Sequence, residues 1–260
     1  MILKIEQQLK KLQELESSST SPMQTISICL TGLAGLYKSV DHALNYLPHH
    51  NKAKNRAEQL VNGSLKLLDV CNASREVLTR LREAVGELRL SDDKLLEVSR
   101  YFSTRREIMR GAKELALRLR QVEGEFISEN RELSQEESKL IRALRCVSII
   151  NISVVESLLQ LLSSKVPRSR RQTLLSKLLT RRSKEAGELL EGKGNELSNV
   201  DIVVHAAFCK EKSDGEKMVI AQKSLEVLEK GLRGIEEGLN CISSQLAKTR
   251  ASLLKHSFSH

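Results

Sequence analysis

The side chains best suited to metal or nucleophilic chemistry in this chain are six histidines and five cysteines, and their spacing supports neither. The histidines are His42, His49, His50, His205, His256 and His260. His49 and His50 follow Pro48, and no carboxylate or cysteine is spaced to complete a metal site with them. His205 lies among Val203, Val204, Ala206 and Ala207, the setting of a helix residue rather than of a base. The cysteines, Cys29, Cys71, Cys146, Cys209 and Cys241, are odd in number and widely spaced, with no Cys-x-x-Cys. That pattern argues against a disulfide framework and against zinc. Cys29, Cys71, Cys146 and Cys241 sit in apolar helical stretches, so they are expected to be reduced thiols packed as small hydrophobes. This points to an intracellular, cytoplasmic setting. There is no Gly-x-Ser-x-Gly, phosphate-binding loop, His-Glu-x-x-His or dinucleotide glycine pattern. Glu-x-x-His, the pair on which carboxylate-bridged metal bundles depend, is absent too. The expectation is a non-enzymatic protein with no catalytic residue, no metal and no cofactor.

One charge feature remains. No acidic residue occurs from Ser157 to Lys184, a stretch holding Lys165, Arg168, Arg170, Arg171, Lys177, Arg181, Arg182 and Lys184. These eight cations nearly equal the net charge of +9 of the whole chain, so its basic character is local. Such a patch suits an anionic lipid surface or an acidic protein partner, and a solubilising linker is the alternative. Nucleic acid is disfavoured, because no aromatic side chain is interleaved to stack bases. Leu174, Leu175, Leu178 and Leu179 share one helical side between the basic clusters, a pattern suited to a membrane surface, a partner groove or the protein's own core. Arg170-Arg171-Gln172-Thr173 has the form of a basophilic kinase site.

The elements that would position these residues are helices. Aromatics are 3% of the chain, there is no Trp, and three prolines break it. Met218, Ala221, Leu225, Leu228, Leu232, Ile235, Leu239, Ile242, Leu246, Thr249 and Leu253 alternate by threes and fours, a heptad seam roughly 50 Å long. Gly231, Gly234 and Gly238 flank it, either as tolerated defects or as points of close helix approach. Ile26, Leu30, Leu33, Tyr37, Val40, Leu44 and Leu47 form a second seam before Pro48. Ala57, Leu60, Ser64, Leu67, Cys71, Ser74, Leu78, Leu81, Val85 and Leu88 form a third. Ser91 is the expected cap of a helix running to about Arg131, with Leu95, Val98, Phe102, Met109, Ala112, Ala116 and Leu119 inward. Ser134-Gln-Glu-Glu137 is a capping box that opens a helix with Leu140, Leu144, Val147, Val154, Leu158 and Leu161 on one face.

Shorter helices are expected at the start, carrying Ile2, Ile5, Leu9 and Leu12 and ending at Ser17-Ser-Ser-Thr-Ser-Pro22, from Arg171 to Leu190, and up to Cys209 with Asn199 or Asp201 as cap. The N-terminus has no uninterrupted apolar run, so no signal peptide is expected. The stretch from Arg145 to Lys165 is interrupted by Asn151, Glu156 and Gln160, so a buried helix is expected there rather than a transmembrane one. The fold class that follows is all-α. It is an elongated antiparallel bundle of long heptad-patterned helices, a single domain over 1–260 with a basic, less regular insertion at about 163–215.

Several stretches, in this order, resemble the plant-specific BYPASS-like family, a domain of unknown function. They are Ile5-Glu-Gln-Gln-Leu9, Leu33-Ala-Gly-Leu-Tyr-Lys-Ser-Val-Asp41, and Leu47-Pro48. Asn62-Gly-Ser-Leu-Lys-Leu-Leu-Asp-Val-Cys71 runs on into Ala73-Ser-Arg-Glu76. Tyr101 with Arg105-Arg106, Val154-Val-Glu-Ser-Leu-Leu159 and Lys248-Thr-Arg-Ala-Ser-Leu-Leu254 complete the set. Two features differ. The Ser- and Pro-containing basic leader of the family does not stand before Ile5, and the Trp common in its central basic region is missing. The resemblance implies no catalytic residue. It implies a regulator of root and shoot development, acting through protein contacts or peripherally at a membrane surface. A structural coiled-coil scaffold, or an enzyme with an unrecognised site, are the competing readings.

Overall fold

The computed structural model describes residue 7 and residues 21–46, 54–127, 135–165, 195–208 and 215–258. Six helices fill these segments: α1 (Pro22–Tyr46), α2 (Lys54–Leu90), α3 (Lys94–Ile127), α4 (Gln135–Leu162), α5 (Glu196–Phe208) and α6 (Gly215–Phe258). No strand occurs among the described residues. Residue 7 is helical; the rest of the expected first helix, the expected helix from Arg171 to Leu190, the loop at His49 and His50, Cys209 and the cap at Ser134 lie outside the described residues.

The heptad seams become the core. From Ala221 to Leu253 every seam position of α6 is buried, and only Met218, on its first turns, is part-exposed. The α1 seam from Ile26 to Leu44, the α2 seam from Leu60 to Leu88 and the α4 seam from Leu140 to Leu161 are buried throughout. Long helices of this kind are held by such burial far more than by intrinsic propensity.

Five helices close a ring in the order α1, α6, α2, α3, α4 and back to α1, and α5 lies against α6 and touches α3. Partners show the directions. On α2 and α6 the pairs are Arg75–Asn240, Arg82–Glu236 and Arg89–Glu229, whose numbers run oppositely. On α2 and α3 they are Lys66–Glu125 and Arg80–Glu107, again antiparallel. A closed ring of an odd number of helices must contain one parallel pair. Here it is α1 with α6. A Cβ placed on Gly231, Gly234 or Gly238 would meet Met23, Ser27 or Leu30 in turn, and further along Ser252 donates to Asp41. Gly238 is therefore a point of close approach, whereas Gly231 and Gly234 face only the tips of the Met23 and Ser27 side chains. At Gly238 a Cβ would lie 2.8 Å from Leu30 Cβ.

Helix ends differ in detail from expectation. Asp93, not Ser91, caps α3: its Oδ1 accepts from Leu96 N at 3.2 Å, while Ser91 Oγ accepts from Asp93 N at 3.1 Å. Lys94 Nζ turns back to the carbonyls of Leu88 and Arg89, closing the end of α2. Leu95, expected inside, is 73% exposed. Phe102, Met109 and Ala116 are only part-buried. The face of α3 that is buried runs instead through Val98, Tyr101, Arg105, Ile108, Ala112, Leu115, Leu119, Val122 and Phe126.

By length and composition Leu140–Leu162 is apolar enough to cross a membrane, a window the expectation missed by starting at Arg145. In the structure 61% of that window is buried, between α1 and α3.

The cysteines divide. Cys29 and Cys71 are buried, as expected, whereas Cys146 and Cys241 are exposed. Each exposed thiol is one step off its seam, beside Val147 and Ile242, so the helix turns it outward. Burial also pushes the Cys71 thiol up to about 12. In a Cys209→Ser background, a thiol reagent should therefore modify two sites rapidly, Cys146 and Cys241. Cys29 and Cys71 should react only on unfolding, which mass spectrometry of labelled peptides would read.

Candidate functional site at the base of the basic segment

Arg105 is the largest fully buried side chain among the described residues, at a seam position of α3 where an apolar side chain would ordinarily stand. A buried guanidinium needs a carboxylate and acceptors for its remaining donors. Asp201 of α5, also 0% exposed, supplies the first. Arg105 Nη2 donates to Asp201 Oδ2 at 2.9 Å, and Nε reaches both carboxylate oxygens at 3.2 and 3.3 Å. Tyr101, one turn earlier on α3, donates its hydroxyl to Asp201 Oδ1 at 2.7 Å.

The other donors of Arg105 go to the end of α4. Nη1 donates to the Leu162 carbonyl at 3.2 Å, and Nη2 to the carbonyl and hydroxyl of Ser164, each at 3.3 Å. The last carbonyls of a helix lack intrahelical donors and carry partial negative charge, so a guanidinium there is favourable on both counts. Asn195 completes the join: its Nδ2 donates to the Leu161 carbonyl at 3.3 Å, and its Oδ1 caps α5 by accepting from Ser198 N at 2.9 Å. Asn195, rather than Asn199 or Asp201, is thus the cap of α5. Glu196 follows and accepts from Met23 N at 3.0 Å, capping the start of α1.

Burial raises the Asp201 carboxyl, and Arg105 and the Tyr101 hydroxyl pull it back only in part. Burial and the neighbouring carboxylate hold the Tyr101 phenol well above its ordinary value, so it stays a donor.

A second polar group lies inside the ring. Asn151 of α4 donates to Tyr37 Oη of α1 at 3.2 Å and lies beside Cys71 of α2. Burial raises the Tyr37 phenol as well. These groups register three helices against one another.

Of the eight basic residues, Lys165 is described, exposed at the end of α4 next to Ser164. Arg168, Arg170, Arg171, Lys177, Arg181, Arg182 and Lys184 lie outside the described residues. The structure does bring together what flanks them: Leu162, Ser164 and Asp201 bond Arg105 directly, and Asn195 bonds the neighbouring Leu161 carbonyl. Sequence reasoning missed this node. His205 is part-buried, with its ring 6.1 Å from that of Phe102, as expected of a helix residue. Among the described residues, no group of three or more His, Cys, Asp or Glu side chains is gathered as a metal site requires.

No curated protein and no solved structure matches the chain. A family model described as Protein BPS1 matches residues 29–255, a span that takes in most of α1 and α6, the whole of α2, α3 and α4, and the Arg105 node. The chain therefore belongs to the BPS1 family, the BYPASS-like group that its order of motifs resembles.

Proposed function

We propose that this protein is a non-enzymatic regulator whose basic segment binds an anionic surface, the headgroup plane of a membrane carrying acidic lipid. The observation that carries the reading is one of charge. Eight of the cations behind a net charge of +9 lie between Lys165 and Lys184, with no acidic residue among them. Two further points support it. The buried ionisable side chains Tyr101, Arg105 and Asp201 satisfy one another, and the ring interior is filled by aliphatic seams. In a family tied to plants, the biological setting of this reading is root and shoot development, in an intracellular protein held peripherally at a membrane.

Co-sedimentation with vesicles containing about a quarter phosphatidylserine tests the reading. Replacing Arg168, Arg170, Arg171, Arg181 and Arg182 with Gln removes five charges and touches none of the described core. Affinity should fall by roughly 1 kcal/mol for each charge close to the surface. Raising salt should weaken wild-type binding too, because charges are screened beyond about 8 Å at physiological ionic strength. If neither protein binds, or both bind equally, the segment is a solvated linker and the reading fails.

A further inference from the structure

We infer that Tyr101, Arg105 and Asp201 form a clasp that holds both ends of the basic segment at one point on the bundle.

A buried Arg–Asp pair is poor value as a source of stability, since well-packed apolar side chains of similar shape often do as well or better. The position also has an apolar alternative: Arg105 completes a seam whose neighbours Val98, Ile108, Ala112 and Leu115 are aliphatic. What an apolar residue could not do is donate hydrogen bonds in two directions. Arg105 faces the outgoing chain at the Leu162 and Ser164 carbonyls, and the returning chain at Asp201. Asn195 adds a direct bond from the returning chain to Leu161. Ser164 and Asn195, which flank residues 166–194, therefore sit at adjacent points on the bundle, beside a guanidinium, a carboxylate and a phenol that are mutually satisfied.

Holding two points of a chain together has an entropic cost that grows only slowly with the length between them, so a small set of strong bonds at the base is an effective place to meet it. The charge-assisted bonds of the node are of that kind. The pair thus contributes specificity, fixing where α4 ends and where α5 begins. The idea rests on the proposed function only for what the segment does once positioned. The clasp itself can be read without any anionic surface.

Hydrogen exchange on the full chain supplies the test. The variant Tyr101→Phe, Arg105→Met, Asp201→Leu replaces the node with apolar side chains of similar shape. Its thermal transition should stay close to that of the wild type. Amides in the last turn of α4 and throughout α5 should nevertheless exchange at least about tenfold faster, with the middles of α1, α2 and α6 unchanged. If the triple variant does not fold, Tyr101→Phe, which removes one bond to Asp201 and leaves the ion pair intact, is measured in its place, and a smaller rise with the same local pattern is expected. Unchanged exchange at both ends of the segment would overturn the clasp. So would a uniform rise over all helices, because the node would then be ordinary core. Vesicle binding is scored separately, so loss of the membrane reading would leave this result standing.

Discussion

Truncating Asp201 to Ala is expected to lower the stability of the chain by about 3–5 kcal/mol, because it strands the Arg105 guanidinium in a dry site. Arg105 and Asp201 are both fully buried, so bulk solvent does not reach the guanidinium to replace the lost carboxylate. The Tyr101 hydroxyl would lose its acceptor in the same step. Urea unfolding followed by circular dichroism measures the loss. The shape-matched triple variant, which removes charge and phenol together, should recover most of it, since nothing charged is then left unpaired. Exposed ion pairs such as Arg80–Glu107 provide the contrast, with about half of each side chain in solvent. Deleting that pair should change stability by at most about 1 kcal/mol. An Asp201→Ala variant that behaved like a surface pair would show that the node is hydrated.

The parallel contact of α1 with α6 should be nearly as sensitive, at one glycine in particular. A methyl on Gly231 would meet the Cε of Met23, the tip of a flexible side chain that can move aside. Gly231→Ala should therefore be neutral, or gain up to about 1 kcal/mol from helix propensity. At Gly238 the obstacle is Leu30, with Cβ at 2.8 Å and Cδ1 at 3.1 Å. A Cβ cannot rotate away, so the two helices must separate. Gly238→Val should cost about 1–3 kcal/mol by overpacking, and the same urea titrations compare the two sites. Equal effects at both positions would contradict the close approach.

The α6 seam was readable position by position, because eleven residues keep a strict spacing and none is charged. The α3 seam was not, and Arg105 is the reason. Treating a charged residue as solvent-facing breaks the run after Tyr101 and shifts the inferred face by about one position, onto Leu95, Phe102, Met109 and Ala116. With Arg105 admitted, the spacing from Val98 to Phe126 is as regular as that of α6. Asp201 was misread for a related reason. Aspartate at the start of a short apolar run is ordinarily a cap, and here Asn195 already fills that role. Periodicity reports which face is buried, but it does not report which charge on one helix meets which on another. The partner of Arg105 lies 96 residues away. The outward turn of Cys146 and Cys241 was legible in principle, since both fall one step off a seam already identified.

On the proposed reading the helical ring folds without residues 166–194, and those residues carry the membrane binding. Replacing residues 166–194 with a short Gly/Ser bridge tests it most directly. Leu161 and Asn195 are within hydrogen-bond reach, so a short bridge can span the gap. The shortened chain should keep its helical circular dichroism and its thermal transition, and no longer sediment with phosphatidylserine vesicles at low salt. A shortened chain that unfolds, or one that still binds as the wild type does, would contradict it.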